Sequence, residues 1–248
     1  MAADKTRLDQ LLVARGLAES QAKAQALIMA GVVFSGERKL TSAGEQVASH
    51  VSLDVRGREH PWVSRGGLKL VHGLAHFRLD PAGRIGIDVG SSTGGFTDVM
   101  LHHGAAKMYA VDVGYGQLAD KLRKDARVVV LERTNARNLT AELIPEAVDA
   151  VVCDASFIGL RTVLPASMTL AKPGAFLIAL IKPQFEVGRD QVGKKGVVRD
   201  PALHTEVCDT ISTWLAAQPG WRVLGVTPSP ITGPEGNVEF LIGGMKDA

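Results

Sequence analysis

From Arg84 to about residue 217 the chain alternates apolar runs with amphipathic segments, and this alternation limits its fold more than any other feature. Strand-like runs fall near 84–89, 108–113, 127–131, 148–153 and 174–181, and helical segments near 95–103, 116–124, 159–171 and 201–217. Apolar strands alternating with helices predict a parallel, doubly wound sheet covered on both faces. The pattern changes near the end. Trp221–Val226 and Asn237–Ile242 are two further strand-like runs, joined by the Pro- and Gly-rich stretch Thr227–Gly236 with no helix between them. Strands that lack a crossover helix must run antiparallel.

The first 58 residues follow a different rule and are expected to form a small α+β domain of their own. Thr6 can cap a short helix carrying Leu8, Leu11 and Leu12, with Gly16 as its end. Ser20 can cap a second helix, with Ala24, Leu27 and Ile28 on one face and Gly31 as its stop. Val32–Phe34 reads as a strand turning at Ser35-Gly36, and Val51–Val55 alternates as a half-buried strand does. So small a module has a thin core, which leaves its surface free for binding. Around His60-Pro61-Trp62-Val63-Ser64 the pattern is interrupted by proline, so residues 59–64 are expected to form a linker and 65–248 the second domain.

Composition narrows the function classes. With 46% hydrophobic and 22% charged residues, disordered and coiled-coil readings have no support. The net charge of +2 is mildly basic, so any nucleic-acid surface must be local. Cys153 and Cys208 cannot make a disulfide framework, and a reducing cytoplasm is the simplest compartment. The N-terminus is charged from the start and does not read as a secretory signal. The longest apolar run, Ala175–Ile181, falls far short of the ~20 residues that cross a bilayer as a helix, so no membrane association is expected.

The first candidate site follows the first strand of the alternating region: Asp88-Val89-Gly90-Ser91-Ser92-Thr93-Gly94-Gly95-Phe96. A glycine turn between strand and helix lets the backbone approach a ligand at the helix N-terminus. Ser92 occupies the place where dinucleotide enzymes need a glycine to admit a pyrophosphate, which disfavours NAD and FAD and suits S-adenosylmethionine. No Gly-Lys-Ser/Thr follows, so a triphosphate-binding loop is excluded. Asp112, roughly 20 residues beyond the turn, is placed to accept from ribose hydroxyls, and Asn135 can read the adenine edge. A plain tight turn and a solvent-facing acid are the bland alternatives. Two apolar strands then end in Asp154 and Lys182; ligands bind outside such strand ends, so this acid and base are expected beside the transferable methyl group, a surface ion pair being the alternative. A mostly parallel sheet ending in an antiparallel pair is also the architecture of Rossmann-like methyltransferases, an argument from fold alone.

Five segments together carry a resemblance: Ser64-Arg65-Gly66-Gly67-Leu68-Lys69-Leu70, the Asp88–Phe96 turn, Asp154-Ala155-Ser156-Phe157, Lys182-Pro183-Gln184-Phe185-Glu186 and Asn237-Val238-Glu239. Over essentially the whole chain this set resembles the TlyA-type ribosomal RNA methyltransferases, historically labelled hemolysin A. The resemblance implies an N-terminal RNA-binding domain joined to an FtsJ-like 2′-O-methyltransferase domain. It also implies a Lys-Asp-Lys-Glu tetrad, which falls on Lys69, Asp154, Lys182 and Glu239, and cofactor contacts from Phe96 and Phe157. Its implied product is a 2′-O-methylated cytidine in ribosomal RNA, and the short C-terminal end is similar to members that act on the large subunit alone. Two positions depart from the family pattern: Gln21 stands where the RNA-binding fold often has Arg, and His60 where some members begin an Arg-x-Trp-Val linker.

In the mechanism so implied, Lys182 is the base or hydroxyl-orienting group, in a setting made positive by Lys69 and the sulfonium; Asp154 opposes that shift while fixing the amine, and Glu239 holds Lys69. No His, Cys and Asp cluster has metal-ligand spacing, so no metal is expected. RNA contacts are expected from Arg7, Arg15 and Lys23 in the small domain, from Arg65, and from the loop with Arg189, Lys194, Lys195 and Arg199. For that loop the alternative is a mobile solvent segment. Ribosomal RNA or ribosomal subunits are the expected partners, and no obligate protein partner is inferred. A secreted membrane-lytic protein and a non-catalytic RNA-binding protein are the competing functions.

Overall fold

The computed structural model describes residues 5–15, 17–18, 20–55 and 60–247, and the chain divides into two compact units, 1–61 and 62–248. Gly16, the expected end of the first helix, lies outside the described residues. The first unit contains β1 (Lys5–Arg7), α1 (Leu8–Ala14), α2 (Gln21–Met29), β2 (Val33–Ser35), β3 (Arg38–Lys39), β4 (Gln46–Ala48) and β5 (Asp54–Val55). Thr6 does not cap α1. It lies within β1, opposite Val47 of β4, and Arg7 takes the N-cap position without a side-chain bond. Ser20 does cap α2, its hydroxyl accepting from Lys23 N at 3.2 Å. β2 pairs with both β3 and β5, and only 54–55 of the expected strand over 51–55 joins that sheet. Leu8, Leu12, Ala24, Ile28, Val33 and Leu40 form a small core.

The second unit starts at Trp62, so Trp62, Val63 and Ser64 belong to it rather than to a linker. The indole is buried, and a Cβ on Gly67 would meet its side chain at 2.5 Å, so the close fit depends on that glycine. The elements then run α3 (Gly66–Phe77), β6 (Ile85–Val89), α4 (Gly95–His102), β7 (Lys107–Val111), α5 (Asp120–Arg123), β8 (Val128–Leu131), β9 (Val148–Cys153), α6 (Leu160–Val163) and α7 (Pro165–Thr169). They continue through β10 (Ala171–Ile181), α8 (Pro183–Glu186), α9 (Pro201–Ala216), β11 (Trp221–Pro228) and β12 (Phe240–Lys246). The sheet order is β11-β12-β10-β9-β6-β7-β8, with β12 antiparallel to both its neighbours and the other pairs parallel. The expected helix over 159–171 is two short ones, because Pro165 lacks an N–H and starts a new helix. The expected helix over 116–124 is reduced to α5.

Alternation along the strands divides the core in two. Val151, Cys153, Leu177, Ala179 and Ile181 pack with α6, α7 and α9, whereas Ala150, Val152, Phe176, Ile178 and Leu180 pack with α3 and α4. By that parity Asp154 and Lys182, just past the strand ends, share the α3 and α4 face with Val152 and Leu180. Cys153 belongs to the opposite face.

Candidate active site

The glycine turn after β6 is shaped by its backbone. Gly90 has φ +78°, and a Cβ there would lie 2.7 Å from Ala155 Cα, so the turn and the Asp154 loop approach as closely as backbones can. Gly94 caps α4 at φ +93°, and Ser92 is left-handed at +47°. Asp88 is buried beneath the turn; its Oδ2 accepts from Thr97 N at 2.9 Å and Thr97 Oγ1 at 2.7 Å, which secures the first turn of α4. Burial pushes its carboxyl up to about 7, and Oδ1 is left buried with no hydrogen-bond partner. Asp112, after β7, accepts Ser92 N at 2.8 Å on Oδ2 and Gly114 N at 2.7 Å on Oδ1.

The glycine turn borders a cavity of about 290 Å³, lined by Asp88, Gly90–Thr93, Gly95 and Phe96 on one side and by Lys69, Asp154, Ser156, Lys182 and Glu239 on the other; Ser64, Arg65, Gly66 and Pro234 complete it. The structure thus brings together the turn, both strand-end residues and two charges that no local pattern had marked. It does not bring in every candidate. Gly94, Asp112, Asn135 and Phe157 lie outside the lining. Asn135 caps the 3-10 turn Ala136–Asn138, accepting from Arg137 N at 3.1 Å. Phe157 is 90% exposed at φ +65°, its ring centroid 5.3 Å from that of Phe185.

Four charges meet at the floor of the cavity. Lys69, on α3, donates to Glu239 Oε2 at 2.5 Å and stands 3.7 Å from Asp154 Oδ2. Lys182 stands 2.7 Å from Asp154 Oδ1 and donates to the Asp154 carbonyl at 3.0 Å and to Ser156 Oγ at 2.9 Å. One carboxylate, Asp154, thus stands between the two lysines. Glu239 is fully buried, and a Cβ on Gly233 would fall 2.1 Å from its Oε1, so the 232–236 loop can close over it only with glycine there. Ser156 was given no role from the sequence, because a lone serine two residues after an acid carries no pattern. The same holds for α3, whose glycines at 66, 67 and 73 dilute the helical signal.

Several of the residues expected to contact RNA also bond within the protein. Arg7 grips Asp9 with Nε and Nη2 at 3.0 and 2.8 Å. That guanidinium, with the Gln21 and Gln25 amides, holds the Asp9 carboxyl well below its ordinary range. Gln21 is therefore a ligand of Asp9 in the place where an arginine is often found. Arg15 donates to the Ser49 and Val51 carbonyls, and Lys23 is exposed on α2. Arg65 is exposed and donates to the Thr232 carbonyl at 3.1 Å. Lys194, Lys195 and Arg199 are exposed on a loop that is tied down: buried Asn237 accepts from Val198 N and donates to the Gly196 carbonyl, and His204 Nε2 lies 2.9 Å from the Val198 carbonyl. The Arg189 side chain lies outside the described residues.

A parallel sheet reversed by one inserted strand, with a glycine turn facing a Lys-Asp-Lys-Glu cluster at its carboxyl edge, defines a Rossmann-like methyltransferase. Residues 62–246 match the FtsJ-like methyltransferase family model, and residues 6–51 match the S4 domain. The 16S/23S rRNA (cytidine-2′-O)-methyltransferase TlyA of Mycobacterium tuberculosis is 49% identical, over 97% of this chain and 90% of that protein. The candidate rRNA methyltransferase YqxC of Bacillus subtilis is 51% identical, over 98% and 86%. A solved structure of a candidate hemolysin from Streptococcus thermophilus superposes with a TM-score of 0.76 at 41% identity, covering 99% of this chain and 90% of that one. The chain belongs to the TlyA-type family of FtsJ-like methyltransferases.

Proposed function

We propose that this protein transfers a methyl group from S-adenosylmethionine to the ribose 2′-hydroxyl of a cytidine in ribosomal RNA of the large subunit, with the small subunit as a second substrate to be tested. The observation that carries the reading is the Lys69–Glu239, Lys69–Asp154 and Lys182–Asp154 set on the wall opposite the glycine turn. Lysines and carboxylates suit an alcohol acceptor. Methylation at cytosine C5 would need a cysteine in the site, and Cys153 is buried on the other face of the sheet, its thiol pushed up to about 12 by burial.

The residues present fit the cofactor. Asp88 lines the cavity with a buried acceptor oxygen that no protein group uses, suited to an ammonium, and Gly90 admits a ligand against bare backbone. Asp112 and its two backbone donors form a rigid acceptor in which each oxygen keeps a lone pair for a ribose hydroxyl. When bound there, the cofactor supplies a methyl group on a positively charged sulfur. The protein's part is positioning and proton handling: Glu239 and Lys69 fix Asp154, and Asp154 fixes Lys182 beside the acceptor hydroxyl. Holding reacting atoms at attack distance supplies ~7–11 kcal/mol of barrier reduction.

RNA capture is assigned to the small domain, with Lys23 and the outer edges of Arg7 and Arg15, and to Lys194, Lys195 and Arg199 on the anchored loop. The setting is the cytoplasm, where ribosomal subunits are found. The test uses unmodified subunits and methyl-labelled cofactor, followed by alkaline hydrolysis. A 2′-O-methyl group blocks attack on the neighbouring phosphate, so label is expected in an alkali-resistant dinucleotide; label in a mononucleotide would indicate base methylation. Against a membrane-lytic role, no helix among the described residues is long and apolar enough to cross a membrane, and liposomes should retain their contents.

A further inference from the structure

Lys182 Nζ has three oxygen neighbours: Asp154 Oδ1 at 2.7 Å, the Asp154 carbonyl at 3.0 Å and Ser156 Oγ at 2.9 Å. A lysine that takes up a proton does so as a neutral amine, with two N–H groups and one lone pair. Carboxylate and carbonyl oxygens only accept, whereas a hydroxyl can also donate. Of the three neighbours, Ser156 alone can therefore face the lone pair with a proton. The two residues also differ in access. Lys182 is buried, Ser156 is exposed, and both line the same cavity.

We propose that Ser156 is a catalytic residue that relays the proton of the acceptor hydroxyl to Lys182. This rests on the 2′-O-methyl transfer assigned above. The ribose hydroxyl gives its proton to Ser156 Oγ as Oγ gives its own to Lys182 Nζ. The new O–CH3 bond forms while the donor's S–CH3 bond breaks, and that electron pair stays on sulfur, cancelling its charge. Ser156 ends as the neutral hydroxyl it began as, and Lys182 ends as the ammonium, which then returns its proton to solvent. The Asp154 backbone carbonyl accepts from Lys182 in both states, so the amine keeps its place while its proton count changes.

The test is single-turnover methylation of unmodified ribosomal subunits by the full-length protein and its Ser156→Ala and Ser156→Thr variants. Calorimetry with S-adenosylmethionine and filter binding with RNA accompany it. Ser156→Ala is expected to slow transfer by ~10²-fold with both affinities unchanged, and Ser156→Thr, which restores the hydroxyl, to recover most of the rate. In mixtures of light and heavy water the wild-type rate should curve with solvent composition, as two protons moving together require, and the Ser156→Ala rate should fall on a straight line. An alanine variant as fast as wild type, a threonine variant no faster than alanine, or a rate loss matched by lost cofactor or RNA affinity would each overturn the relay. A wild-type protein that methylates no RNA would overturn the functional reading and the relay with it.

Discussion

Lys182 is held twice by Asp154: its Nζ stands 2.7 Å from the Asp154 carboxylate and donates to the Asp154 backbone carbonyl at 3.0 Å. One residue thus supplies both a charge and a direction. Asp154→Ala removes the charge and keeps the carbonyl contact, so Lys182 stays nearby but loses its aim. Methyl transfer should drop by ~10²–10⁴-fold, while calorimetric cofactor affinity stays within a few fold.

Asp112 has a different task, since its carboxylate organises the backbone of the turn. Asp112→Ala loses the acceptor of Ser92 N and of Gly114 N together with the ribose contacts assigned to it. Cofactor binding should weaken by about 1–3 kcal/mol, measured by calorimetry. Unchanged affinity would remove Asp112 from the cofactor site.

Gly90→Ala tests the approach of two loops. The new methyl group would meet Ala155 Cα at 2.7 Å and hold an L-residue at φ +78°. A loss of roughly 1–3 kcal/mol is expected in urea unfolding, with cofactor binding lost as Ala155 is displaced.

The buried Asp88 makes stability depend on pH. Its carboxyl is raised to about 7 from 3.8 by burial, so between those values the unfolded chain has released a proton that the native state keeps. Its contribution is present in full below ~pH 4 and is lost as pH rises through ~7, at about 1.4 kcal/mol per unit of separation. Asp88→Asn cannot titrate. Urea midpoints of the variant should gain on wild type between pH 4 and 7, and parallel curves would place Asp88 in a more hydrated setting.

A fragment from Trp62 onward has both halves of the sheet core and the complete cavity. It should bind cofactor as the full chain does but lose methyl transfer to ribosomal subunits. RNA binding by the full chain should fall steeply with salt, because each phosphate neutralised releases counterions. A fully active fragment would make the S4 domain dispensable.

The strands of the sheet were legible because those buried on both faces read as unbroken apolar runs, and β9 lies over 148–153 as expected. Helix ends were harder to read. Thr6 looks like a cap but is drawn into β1 by pairing with Val47, and Pro165 splits what periodicity alone joins. At the site, Asp154 and Lys182 follow from strand ends, a local signal. Lys69 and Glu239 are ordinary charges until β12 inserts between β10 and β11, and only family resemblance marked them in advance. Ser156 lies in one of the segments that carry the resemblance, but neither a local pattern nor the tetrad gave it a role.

Lys69 and Glu239 are 170 positions apart along the chain, one on the first helix of the second unit and the other just before its last strand. Closing so long a loop is among the contacts that a folding chain reaches late. Methyl transfer therefore reports on the finished domain: an intermediate in which β6 to β10 have paired could hold the glycine turn, yet Lys69 would lack Glu239, its hydrogen-bonded partner, and face only the more distant Asp154. During refolding, cofactor binding should return before catalysis, with the interval between them measuring the time the last strand takes to find its slot.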